Sequence, residues 1–106
     1  MYIIILITFP NEETAENICS QVIENRLIAC ANIINNLRSI FRWQGKIEKS
    51  SESLAILKTT KENFPQLRDF ILKAHPYQVP EIISLDISDA YEPYLKWMLE
   101  AVTDEI

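Results

Sequence analysis

LRSIFRWQGKIEKSSESLAILKT, residues 37–59, decides the fold. Its first arm puts Leu37, Ser39, Phe41 and Trp43 on one side and Arg38, Ile40 and Arg42 on the other, the two-residue period of a strand. Gln44-Gly45 holds the chain's one glycine and predicts a tight turn. The second arm alternates again, with Glu52, Leu54, Ile56 and Lys58 on one side and Ser53, Ala55, Leu57 and Thr59 on the other. The extended pattern begins upstream at Leu27, and Asn35-Asn36 is a candidate bulge within it. Each central strand then runs about 15 residues, or roughly 50 Å at ~3.3 Å per residue. A helix of that residue count rises ~1.5 Å per residue and reaches about half as far. Helices packed on the sheet therefore leave the hairpin tip, with Phe41, Trp43 and Ile47, in water. Such a ribbon also carries unpaired backbone edges, and self-association by strand pairing removes both costs.

Outward from the hairpin the remaining elements fall into place. Tyr2 to Thr8 is a near-continuous aliphatic run, expected to form a central strand covered on both sides. Pro10 ends it, Asn11 suits a helix cap, and Glu12 and Glu13 suit the first turn, where the helix dipole favours acids. Ala15, Ile18, Cys19, Val22 and Ile23 follow at helical spacing. A second helix is expected from Glu62 or Asn63, with Pro65 in its first turn and Phe64, Leu67, Ile71 and Ala74 as its apolar stripe. Ile82 to Ile87 reads as a strand. A last helix is expected from Asp89 or Ala90, burying Tyr94, Trp97, Met98 and Ala101. The order β-α-β-β-α-β plus a C-terminal helix is the α+β, ferredoxin-like arrangement, with two helices on one face of a four-stranded antiparallel sheet.

The chain of 106 residues is expected to form one domain over 1–106. Ten basic against fifteen acidic residues, net −5, argue against a nucleic-acid partner. No apolar stretch approaches the ~20 residues of a membrane span, and no basic region precedes the opening apolar run, so no membrane role or signal peptide is expected. Two cysteines without a targeting signal suggest free thiols in a reducing compartment, and cytoplasm is the expected location.

The candidate chemistry centres on His75-Pro76-Tyr77-Gln78-Val79-Pro80-Glu81, which places the one histidine at a stiffened helix-to-strand turn. His75 can ligate a metal or transfer a proton; equally, it can cap the end of the helix before it. Cys30 is a second candidate ligand, or a small buried hydrophobe like Cys19. One histidine and two distant cysteines cannot build a single-chain zinc cage, so a transition-metal site needs open positions or ligands from neighbouring copies. Glu52 and Lys58 share a strand face and can hold a polar ligand or form ordinary exposed ion pairs. Phe41, Trp43, Tyr77, Tyr91, Tyr94 and Trp97 can line a pocket or simply pack. No Gly-rich phosphate loop, nucleophile elbow or catalytic acid/base pair is present, and no enzyme is expected.

Four stretches together resemble a known family. They are Arg26-Leu27-Ile28-Ala29-Cys30-Ala31-Asn32-Ile33, Ser39-Ile40-Phe41-Arg42-Trp43-Gln44-Gly45-Lys46-Ile47, Glu52 leading to Lys58-Thr59, and His75-Pro76-Tyr77-Gln78-Val79-Pro80-Glu81-Ile82. With Tyr94-Leu95-Lys96-Trp97 they are similar, in order and spacing, to the CutA divalent-cation tolerance proteins. The resemblance implies a homotrimer of ferredoxin-like subunits, akin in architecture to the PII signalling proteins. It also implies a role in tolerance to divalent cations, copper above all, with metal bound directly in clefts between subunits and no cofactor required. It points to His75 and Cys30 as metal ligands and to Trp43, Glu52, Lys58, Tyr77 and Glu81 as ligand-binding residues. A PII-like sensor of a small anion, with Lys58 as its cation, and a structural trimer that presents a surface to an unidentified protein are the alternative roles. Gln78 stands where the family commonly has Glu, which removes a charge and a hard-metal ligand from that position.

Overall fold

Strand β1, Tyr2–Phe9, turns Ile3, Ile5, Ile7 and Phe9 toward the helices, all fully buried, whereas Ile4 and Leu6 on its other side stay half-buried. The expectation of cover on both sides is thus corrected: the helices occupy one face and only part of the other is covered. The computed structural model describes residues 1–103; the last three positions of the expected domain lie outside the described residues.

Helix α1, Glu12–Glu24, is capped as expected by Asn11, whose Oδ1 accepts from the Thr14 amide at 2.8 Å. Ala15, Ile18, Cys19 and Val22 enter the core, but Ile23 does not and is 43% exposed. The long strands are β2, Cys30–Trp43, and β3, Lys46–Thr60. Gln44 and Gly45 join them with positive φ at both residues (51° and 80°), the backbone that a two-residue hairpin turn of type I′ demands. A short 3₁₀ turn, Lys61–Asn63, leads into α2, Phe64–Ala74, where Leu67 and Ile71 are buried and Ala74 is exposed. Strand β4 is Ile83–Asp86, two residues shorter than expected. Helix α3, Glu92–Val102, begins later than expected. A start at Asp89 would set Pro93 deeper in the helix, where it has no N–H to donate, so the helix opens with Pro93 in its first turn.

All pairings are antiparallel in the order β2-β3-β1-β4. One hydrophobic core joins the inward faces of β1 and β3 to α1 and α2. The long axis is 47 Å, and the hairpin beyond the core leaves Ile40, Phe41, Trp43 and Ile47 exposed, as expected for a single chain.

The bulge at Asn35-Asn36 determines which side chains share the outer face. Ile34 pairs with Leu54 and Leu37 with Glu52, so β2 carries one extra residue there; Asn36 takes φ 60° and Asn35 accepts from the Ser53 hydroxyl at 2.9 Å. Below the bulge the even residues Cys30, Asn32 and Ile34 lie on the face away from α1 and α2. Above it the odd residues Leu37, Ser39, Phe41 and Trp43 take over, beside Glu52, Ser50, Glu48 and Lys46.

Candidate functional site

A chain of contacts runs from β1 to the hairpin through the turn after α2. The backbone amide of Tyr77 donates to His75 Nδ1 at 3.1 Å, so that nitrogen is an acceptor and the ring proton sits on Nε2, which donates to the Thr8 carbonyl at 2.7 Å. Phe9 stacks on the imidazole at 4.8 Å, and Tyr77 packs against it at 4.7 Å. The Tyr77 hydroxyl donates to Glu52 Oε2 at 2.5 Å. Burial first, then this hydrogen bond and the carboxylate charge, raise the phenol well above its ordinary pKa.

These contacts form one wall of a cleft of about 870 Å³ between residues 76–81 and the outer face of the hairpin. Phe41, Trp43 and Tyr77 supply aromatic surface to it, and Glu48, Glu52 and Glu81 supply carboxylates. No lysine or arginine lines it. By alternation Arg38, Arg42 and Lys49 fall on the opposite face of the hairpin.

A second cluster occupies the other end of the same sheet face, under α3. Lys58 donates to Asn32 Oδ1 at 2.6 Å and lies 6.0 Å from the Tyr94 ring centroid. The Tyr94 hydroxyl meets Cys30 Sγ at 3.5 Å; this contact, then burial, pushes the phenol up to about 12. Tyr94 also packs on Trp97 at 5.4 Å. Of the residues expected to be buried by α3, only Met98 is fully so; Tyr94 and Trp97 remain 39% and 43% exposed, because α3 crosses a sheet face that no other element covers. Arg26, held at φ 58° behind α1, donates to the carbonyls of Ala101 and Thr103 and fixes the end of α3.

The structure brings Trp43, Glu52, Tyr77 and Glu81 together and leaves Lys58 and Cys30 apart from them. Cys30 lies opposite Lys58, which faces Ile4, while His75 sits against Thr8 and Phe9. That separation along β1 is roughly 13–16 Å at ~3.3 Å per residue. The two expected metal ligands therefore cannot meet on one ion within one chain. Both ring nitrogens of His75 are already engaged, and its side chain ties β1 to the turn rather than capping α2. Among the described residues no three His, Cys, Asp or Glu side chains converge as a ligand set. Glu52 and Lys58 form no ion pair with each other, since six residues of extended strand, roughly 20 Å, separate them, and each has its own partner. Of the aromatics, Tyr94 and Trp97 belong to the second cluster, and Tyr91 is 77% exposed. Sequence reading overlooked Glu48, Thr8 and Asn32. Glu48 was open to discovery, because it shares the alternation of Glu52 and pairs with Phe41.

A long-armed, four-stranded antiparallel α+β domain, with an acidic aromatic cleft at the base of its arm, is the class of protein defined here. The CutA1 divalent ion tolerance protein model matches residues 3–101. The chain is 44% identical over 97 residues to the divalent-cation tolerance protein CutA of Thermus thermophilus, covering 92% of this chain and 94% of the relative. It is 45% identical over 98 residues to the protein of that name from Pyrococcus horikoshii, covering 92% and 95%. The solved structure of the T. thermophilus protein superposes with a TM-score of 0.94 at 43% identity, covering 97% of this chain and all of that one. The chain belongs to the CutA family. These relatives are named for tolerance rather than for a reaction. An Arabidopsis thaliana relative, 33% identical over 91% of this chain and 53% of its own length, is named chloroplastic. Among the described residues no helix is long and apolar enough to cross a membrane.

Proposed function

We propose that this chain serves divalent-cation tolerance by binding the cation directly, as a homotrimer whose clefts are completed by neighbouring copies. The observation that carries the reading is the cleft's lining, which holds three carboxylates and no lysine or arginine, with Lys46 beside Trp43 at the hairpin tip the nearest basic residue on that face by pairing. Such a space attracts cations and repels anions. Glu48, Glu52 and Glu81 present carboxylates to this space, though they do not converge on one ion within one chain, whereas His75 would first have to break one of its two hydrogen bonds. Since no complete ligand set converges in one chain, a second copy supplies the rest. Self-association has its own support. The outer sheet face exposes Ile34, Ile83 and Leu85 by nearly half, and the hairpin tip adds Phe41, Trp43 and Ile47. Copper is the divalent ion expected to bind most tightly, following the general order of divalent affinities. Two free thiols, Cys19 and Cys30, suit a reducing compartment such as the cytoplasm. The alternative of an anion sensor built on Lys58 has less support, because Lys58 is held by Asn32 at the far end of the face.

Calorimetric titration with Cu(II), Zn(II), Mn(II) and Mg(II) tests the reading. We expect Cu(II) to bind tightest and the triple variant Glu48→Gln, Glu52→Gln, Glu81→Gln to lose at least about tenfold in affinity. Unchanged affinity in that variant removes the cleft from metal binding. Sedimentation equilibrium at low concentration tests the trimer, and a stable monomer would overturn it.

A further inference from the structure

The short strand β4 leaves a gap that His75 fills. Tyr2 turns its carbonyl toward β4, where Ile87 donates to it at 2.9 Å, and by the alternation of a strand Thr8 turns its carbonyl the same way. The pairing of β1 with β4 ends at Leu6 and Ile83, so no residue of β4 stands opposite Thr8. His75 Nε2 meets that carbonyl at 2.7 Å, in the place of a strand amide. The same ring accepts the Tyr77 amide on Nδ1 and stacks on fully buried Phe9 with 17° between the planes. One neutral imidazole thus donates to a strand and accepts from a turn. Tyr77 passes this constraint on. Its hydroxyl donates to Glu52 Oε2 at 2.5 Å, and among the described residues no lysine or arginine forms a salt bridge with Glu52. Glu52 and His75 are only 8% and 7% exposed, values that a neighbouring copy can only lower. The carboxylate therefore takes its direction from Tyr77, and Tyr77 takes its own from His75.

We propose that His75 is a positioning residue of the cation site and not one of its ligands: it holds the turn through which Tyr77 aims Glu52. The proposal rests on the reading of Glu52 as a cation-binding carboxylate. A metal on either ring nitrogen must displace the Thr8 carbonyl or the Tyr77 amide, and that backbone group is then left without its partner. Groups that orient a ligand govern metal affinity nearly as strongly as the ligand itself, so loss of His75 weakens binding with no bond from its ring to the ion. The two roles differ in what can replace the ring. His75→Asn sets an oxygen near the place of Nδ1 and can still accept the Tyr77 amide, yet it supplies none of the nitrogen, thiolate or carboxylate donors that zinc takes. His75→Ala offers neither.

The test uses the full chain in its solution assembly, with Zn(II) as a diamagnetic probe. The one histidine gives a single pair of ring-nitrogen signals in nitrogen NMR of the labelled wild type. Saturating Zn(II) is expected to leave both in place, and the displacement that coordination causes in either would overturn the proposal. In metal-free protein, Overhauser contacts between the Tyr77 ring and the Glu52 side chain are expected to survive in His75→Asn and to vanish in His75→Ala. Their survival in the alanine variant would also overturn it. By calorimetry His75→Ala should lose about tenfold in Zn(II) affinity, while His75→Asn stays within about threefold of the wild type. An asparagine variant as weak as the alanine one would count against positioning. On a Glu52→Gln background His75→Ala should cost less than about twofold more, because His75 acts through Glu52. A full tenfold loss on that background would show the ring acting on the ion directly. A wild type that takes up no zinc would sink the cation reading, whereas the contacts measured without metal decide the positioning role separately.

Discussion

Ile56 and Leu57 are neighbours on β3 with similar side chains, yet Leu57 is fully buried under the helices while Ile56 is half-buried on the opposite face. The same contrast runs through the sheet. On the helix side each aliphatic group meets the core of its own chain. On the other side Ile34, Ile83 and Leu85 stay nearly half exposed, and α3 is the helix that packs on that face. The lesson is that this chain completes its own interior on one face and leaves the second face unfinished. Polar chemistry then collects at the two ends of the unfinished face, where side chains are held but still accessible.

The largest effect should separate Leu57 from Ile56. Leu57→Ala removes a fully buried side chain from a packed core and is expected to cost about 2–5 kcal/mol of unfolding free energy. Ile56→Ala should cost less than about 1.5 kcal/mol in the isolated chain, because the residue is never fully desolvated. Urea unfolding at low protein concentration measures both. At higher concentration the proposed homotrimer predicts the greater loss of assembly for the Ile56 variant. Equal costs at both sites would mean that the outer face is covered within one chain.

The two thiols give the next contrast. Cys19 is 3% exposed on the covered side, and burial pushes it from its ordinary 9.0 up to about 11. The unfolded chain therefore loses this proton first as pH rises. The stabilisation is fully present below about pH 9 and is lost between 9 and 11, by about 2–3 kcal/mol. Unfolding of the wild type and of Cys19→Ala at pH 8 and pH 11 isolates the contribution, because the variant should lack that part of the alkaline decline. A thiol reagent should label half-buried Cys30 well before Cys19.

Much of this contrast was legible in the amino-acid order. Alternation through Leu37–Trp43, the Gln44-Gly45 turn, the Asn11 cap and the disruption at Asn35-Asn36 are local signals, and each came out as read. The errors share a cause. Tyr94 and Trp97 looked like the buried stripe of a helix because their spacing is helical, and spacing cannot tell a core from a face awaiting a partner. The continuous apolar run of β1 was misread for the same reason. In the cleft, Trp43, Glu52, Tyr77 and Glu81 were identified individually, but their convergence depends on the bulge, which moves Phe41 and Trp43 onto the side of Glu48 and Glu52. The role of His75 was not legible, because its partner is the Thr8 carbonyl, a backbone atom 67 residues away that no side-chain pattern announces.

The smallest effect distinguishes the two ends of the open face. Tyr77→Phe removes the donor to Glu52 while keeping the ring against His75, and Tyr94→Phe does the same opposite Cys30. Glu52 is the more buried partner and depends more on its donor, so Tyr77→Phe should cost about 1–2 kcal/mol. Tyr94→Phe should cost less than about 0.5 kcal/mol, since its hydroxyl meets a thiol, a weak hydrogen-bonding partner, and the residue is 39% exposed. A double-mutant cycle of Tyr77→Phe with Glu52→Gln should return a coupling of about 0.5–1.5 kcal/mol, and one of Tyr94→Phe with Cys30→Ala close to zero. Zero coupling at Tyr77 would mean that the turn is held by His75 alone, and the cleft wall would then not depend on the carboxylate that faces into it.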